Sequence, residues 1–215
     1  MNENLVNKQL KEYIKENIFK IYDLNGDSHN INHIKYVLER AFELSKPYEK
    51  DIDYNMLYTA VTYHDIGDHI DRATHEKISA KWMMDDENLN RFFNNEQKVI
   101  IKEAIEDHRA SGKNVPRSIY GKILASADRN IDINMFFQRS CAFGLEHYKE
   151  LSLEEQIDRA YEHAIKKFGK NGYAVNKFFV QDDKYSKYLI ELQDLIENKD
   201  EFYKRCNSVL KSIIK

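Results

Sequence analysis

Apolar residues recur at helical spacing along nearly the whole chain, and no run shows the strict alternation of a half-buried strand. Leu5, Leu10, Ile14, Ile18 and Ile21 predict a first amphipathic helix. The turn formers Asp23-Leu24-Asn25-Gly26-Asp27-Ser28 end it. A second helix is predicted over residues 29–44, with Ile34, Val37, Leu38 and Ala41 on one face and Pro47 closing the segment. A third, over 52–65, carries Met56, Leu57, Ala60 and Val61 and is broken by Gly67. Thr74 is a candidate N-cap for a helix through Met84, although Lys77 denies it a full capping box. Further helices are predicted over 96–110, from Pro116 through Asp128, and over 132–147, 153–168 and 183–210. Residues 111–116 form a loop, and Gly169-Lys170-Asn171-Gly172 separates the last two helices. The expected fold class is all-α.

Composition sharpens this picture in a few places. Only 2 Pro and 7 Gly interrupt 215 residues, which favours long helices over many tight turns. That length suits one domain, or one domain with an added subdomain. A break is expected near residue 150, between a core with its N-terminal helix, 1–150, and a C-terminal helical extension, 151–215, or else the extension belongs to the same domain; capping the pocket and dimerising are two roles open to it. Net charge is −3 at pH 7, so bulk electrostatics give no drive toward nucleic acid or an anionic membrane. The chain has no apolar run long enough to span a bilayer, and Met1 to Leu10 is too polar for a signal sequence. A cytoplasmic location is expected. The 2 cysteines, Cys141 and Cys206, are far apart in sequence and read as free thiols of a reducing compartment, not as a disulfide framework or zinc ribbon.

Of 8 histidines, six fall in the first half of the chain: His29, His33, His64, His69, His75 and His108. The dipeptide His64–Asp65 ends the apolar stretch 56–63, and His33 and Asp128 lie on separate predicted helices, each beside apolar positions. An ionised Asp is rarely buried without a partner, and a bound cation is a strong one. Two imidazoles and two carboxylates leave positions open on a six-coordinate ion for water and a substrate oxygen. The plain alternatives are a hydrogen-bonded helix end for His64–Asp65, a satisfied boundary histidine for His33, and a C-cap or an Arg129 partner for Asp128.

Three segments together resemble the HD-domain superfamily of metal-dependent phosphohydrolases. They are Ser28-His29-Asn30-Ile31-Asn32-His33-Ile34-Lys35-Tyr36-Val37, Thr62-Tyr63-His64-Asp65-Ile66-Gly67 and Ile123-Leu124-Ala125-Ser126-Ala127-Asp128-Arg129. The resemblance covers residues 29–132 and leaves the first 25 residues and the C-terminal third unexplained. It implies an HD-type helical bundle in which His33, His64, Asp65 and Asp128 bind one divalent ion per chain: manganese, magnesium, nickel, iron or cobalt. A thiolate zinc site is excluded, because no cysteine lies near these segments. The implied activity is metal-assisted hydrolysis of a phosphate ester or anhydride in a nucleotide or related small molecule.

Asp68, His69 and His108 are candidate catalytic groups, with simple loop roles as the alternative for the first two. Arg109, Lys122 and Arg129 are candidate phosphate contacts. The alternatives are solvated faces for the first two and an ion pair with Asp132 for the third. Residues 102–129 carry six Lys/Arg against four Asp/Glu, opposite in sign to the whole chain. His29 reads as a capping residue or one behind the ligands, and His75 as a surface or lining residue. Guanosine-tetraphosphate hydrolases of the superfamily follow the pair with Glu-Asp, and Ile66-Gly67-Asp68-His69 departs from that. The cyclic-dinucleotide branch adds a second histidine pair and a Gly-Tyr-Pro element, which is missing here. A single metal is therefore expected, with His75 and His108 as the ligands a second would use. Two other readings are a non-catalytic metal or nucleotide sensor, and a diiron oxygenase of the same type.

Overall fold

Side-chain caps fix where most of the helices begin. The computed structural model describes residues 5–25, 30–109, 112 and 114–214. The expected helix start at His29 and the loop residues 110, 111 and 113 lie outside that set. Asn7 accepts from the backbone N–H of Gln9 and Leu10 to open α1 (Lys8–Asn17), which tightens into a 3-10 turn at Phe19–Leu24. Asn30 caps α2 (Ile31–Ser45), and Asp53 caps α3 (Tyr54–Tyr63). Then follow α4 (His75–Asp85), α5 (Asn95–Asp107) and α6 (Ile119–Ala127). A reciprocal Asn94–Gln97 capping box starts α5 and satisfies two otherwise orphaned N–H groups. Thr74 sits at the expected N-cap of α4, but its hydroxyl bonds Asp71 instead of the helix.

The remaining helices are α7 (Ile133–His147), α8 (Leu153–Phe168), α9 (Asp183–Glu197) and α10 (Lys199–Ile214). A Ser152–Glu155 box opens α8, with Glu154 and Glu155 in its first turn and Lys166 and Lys167 in its last, matching the helix dipole at both ends. The pattern predicts one helix over 183–210. The structure breaks it at Asn198, whose backbone leaves the helical region at φ −97° and ψ 77°. The protein is all-α: no strand occurs among the described residues. Nor is any of their helices long and apolar enough to cross a membrane.

The described residues fall into two compact units. The first, Met1–Asp128 with Phe179–Gln181, is built from α1 to α6. Its core holds Leu10 and Ile14 of α1, Ile34 and Val37 of α2, Leu57 and Val61 of α3, Ile101 and Ile105 of α5, and Ile123 and Leu124 of α6. On α1, α2, α3 and α6 these are the faces that the helical spacing marks as apolar, each fully buried aliphatic contributing about 2 kcal/mol. On α5 the spacing points to Val99, Ile100, Ala104 and Ile105, but Val99 is 44% exposed and Ile101 is buried in its stead. The second unit, Arg129–Phe178 with Asp182–Lys215, holds α7 to α10. The division falls after Asp128 and not near 150, because Ile133, Phe136, Phe137 and Cys141 of α7 pack with Phe168, Leu192 and Phe202.

Candidate metal centre

Helix ends converge on one buried spot in the first unit. His64 is the C-cap of α3, His108 the C-cap of α5 and Asp128 the C-cap of α6. His33 lies in the first turn of α2, and His75 is the first residue of α4. The last carbonyls of a helix lack intrahelical partners, and here side chains take them. The His64 Nδ1–H donates to the Val61 carbonyl at 2.7 Å, and the Tyr22 hydroxyl donates to that of Thr62 at 2.9 Å. His108 Nδ1–H repeats the arrangement on α5, donating to Ile105 at 2.6 Å. His75 Nδ1–H donates to the Arg72 carbonyl at 3.0 Å. In the neutral form of all three rings the proton is thereby held at Nδ1, which leaves the Nε2 lone pair for a ligand.

Those lone pairs meet around Asp65. Its Oδ2 lies 3.4 Å from His33 Nε2 and 3.2 Å from His64 Nε2. Asp128 Oδ1 completes that group, 3.0 Å from His33 Nε2 and 3.7 Å from His64 Nε2. The other Asp65 oxygen, Oδ1, faces a second group, 3.3 Å from His75 Nε2 and 3.4 Å from His108 Nε2. The six side chains thus form two donor sets, His33-His64-Asp65-Asp128 and Asp65-His75-His108, that share one carboxylate. All are buried except Asp128, whose side chain keeps 23% of its exposure.

No family model matches the chain, and neither does any curated protein or solved structure. The case for a cation rests on the donors themselves. His75 Nε2 and His108 Nε2 are 3.1 Å apart, a contact that two bare lone pairs do not make: it needs a proton shared between them or a cation in its place. The fully buried His64 Nε2 makes no hydrogen bond. Neighbouring donors on an octahedral ion with bonds of about 2.1 Å stand about 3.0 Å apart, close to the separations seen. The residues fit a divalent ion.

Electrostatics point the same way. Burial alone would push the His33 and His64 imidazoles down, but Asp128 and Asp65 outweigh it and hold both above the ordinary value, His64 well above. His75 is likewise raised, against its burial, by Asp65. Burial opposes ionisation of Asp128, yet His33 and His64 hold its carboxyl far below the usual range. Without a metal, protons supply the positive charge that the two carboxylates demand.

The other candidates divide. Asp68 sits one turn past the pair, its N–H donating to the Asp65 carbonyl at 3.1 Å. Its side chain is 8% exposed, and Oδ1 makes no hydrogen bond. His69 is turned to Asn25, whose Oδ1 accepts from both its backbone N–H and its Nδ1 at 3.1 Å. No contact joins it to the six donors among the described residues. His108, a catalytic candidate from sequence, stands among the donors, and so does His75. Arg109 donates to the Ala73 carbonyl and pairs with Glu76 at 3.3 Å, tethering the end of α5 to the start of α4. Lys122 is half-exposed and makes no ion pair among the described residues. Arg129 belongs to the second unit, with its guanidinium 4.7 Å from the Tyr185 ring centroid.

Sequence reasoning missed Asn25, whose Nδ2 donates to the Asp65 carbonyl at 2.9 Å. It also missed Tyr22 and the role of Gly67. A Cβ on Gly67 would meet that of Ile78 at 2.8 Å and the His75 carbonyl oxygen at 3.1 Å. Its small size lets α4 approach the dyad. The signal was the Asn within the turn cluster and the Gly two residues after Asp65, but a single sequence does not say what either one touches.

Proposed function

We propose that this protein is an HD-type, metal-dependent hydrolase of phosphate esters or anhydrides, acting on a nucleotide or a related small phosphorylated molecule. The observation that carries the reading is the Asp65 carboxylate, with one oxygen facing each of two histidine-rich donor sets. Where the spacing of the motif suggests one ion, these sets offer places for two. A divalent cation bound there supplies an acidified water and draws charge from a phosphoryl oxygen.

The chain's own residues hold and tune that chemistry. Val61, Ile105 and Arg72 carbonyls fix three imidazoles in the ligating tautomer. Asn25 anchors the backbone at Asp65. Asp68, one turn past the dyad with a buried Oδ1 that makes no hydrogen bond, is the carboxylate available to orient an attacking water. A screen of nucleoside mono-, di- and triphosphates and generic phosphodiesters with Mn²⁺ tests the reading. Turnover of at least one substrate is expected, lost in His64→Ala and Asp65→Ala. Retained turnover in metal-free Asp65→Ala protein contradicts it.

One observation favours a second reading. The additional His75–His108 pair gives four histidines and two carboxylates, a donor set that also suits two irons. Two irons in the purified protein, with oxygen consumption in place of phosphate release, would make it an oxygenase.

A further inference from the structure

Cys141 on α7 and Cys206 on α10 are separated by 65 positions, yet their sulfurs lie 3.5 Å apart. Cys141 Sγ also approaches the Cys206 carbonyl at 3.8 Å. The pair sits in a tightly packed seam. Cys206 falls between Phe202 and Leu210 on one stripe of α10, and the Phe137 and Phe202 rings stand 4.9 Å apart beside it. Both thiols are buried, and neither belongs to the metal centre.

We propose that Cys141 and Cys206 form a redox-reactive pair that closes to an intramolecular disulfide, stapling α7 to α10. Closure shortens the sulfur separation to about 2.0 Å, a movement of side chains and a slight approach of two helices already in contact. A hydroperoxide is the class of oxidant. The Cys141 thiolate attacks one peroxide oxygen, an S–O bond forms, the O–O bond breaks, and hydroxide leaves to take up a proton. The Cys206 sulfur then attacks the Cys141 sulfenic acid, the S–S bond forms and a second water departs. Two thiols and one hydrogen peroxide give one disulfide and two waters, with two electrons passing from sulfur to oxygen.

The Arg159 charge favours Cys141 as the first to react. The thiol of Cys206 and the charge of Arg159 hold Cys141 below its ordinary value, whereas Cys206 is held above its own by its hydrogen bond to Cys141 and by burial. Arg159 is fixed there by donating to the Ser140 carbonyl at 2.5 Å. Because the seam covers both sulfurs, oxidation waits on its local opening and is slower than for an exposed thiol.

The test treats the full chain with hydrogen peroxide, blocks remaining thiols by alkylation in denaturant, and reads intact mass and non-reducing peptide maps. Free thiols are expected to fall from two to none, with loss of two hydrogens, a cross-linked Cys141–Cys206 peptide, and full reversal by dithiothreitol. Cys206→Ser should instead stop at a trappable sulfenic acid on Cys141. The proposal is overturned if wild-type protein keeps two alkylatable thiols, accumulates sulfinic acid, or forms only disulfides between chains. The wild-type result decides the matter even if the variant fails to fold.

Discussion

Asp65 is the residue on which the site turns, because each of its oxygens serves a different donor set. On the proposed function, Asp65→Ala should remove metal from both sets and lower turnover by at least about 100-fold, whereas His75→Ala should empty only one. Metal analysis of the purified variants checks this. Behind the ligands, Tyr22→Phe leaves the Thr62 carbonyl unpaired in the core. It should cost about 1–2 kcal/mol, read from denaturant unfolding. His33, His64, Asp65 and Asp128 were legible in the sequence because a His-Asp dyad between a His helix and an Asp helix is a sparse pattern. Asn25 and Tyr22 were not, because an amide in a turn and a tyrosine on an apolar face look alike whether or not they touch the site.

Among the elements, the decisive feature is that helices end or begin at the centre instead of passing it. Three C-caps, His64, His108 and Asp128, bring the negative ends of α3, α5 and α6 to the place where a cation would bind. The close approach of α4 depends on Gly67. Gly67→Ala should cost about 1–3 kcal/mol and weaken metal retention at His75, because the new methyl overlaps Ile78. Wild-type stability with reduced metal content would show local displacement, and no change in either would refute the packing argument. Helix positions were readable from apolar spacing over most of the chain. The break at Asn198 was not, because Leu195, Ile196 and Phe202 keep the apolar face going across it while only the backbone turns.

For the whole molecule, the proton equilibria of the centre are linked to folding, and binding of a cation there would be linked to both. His33, His64 and His75 have raised pKa values in the folded state, so the cation-free protein keeps protons that the unfolded chain releases near about pH 6.5. That stabilisation is complete below the unfolded value and is lost as pH rises through the folded values. A divalent ion bound there would compete for the same nitrogens, so its binding would release protons and strengthen with pH. The rise in melting temperature on adding Mn²⁺ should be larger at pH 8.5 than at pH 6.0, and equal shifts would contradict the linkage. The central claim is the shared carboxylate, and metal stoichiometry tests it most directly. Wild-type protein saturated with Mn²⁺ and freed of excess ion should retain two ions per chain, the His75→Ala/His108→Ala double variant one, and Asp65→Ala none. Wild-type protein that retains one ion or none would contradict the account.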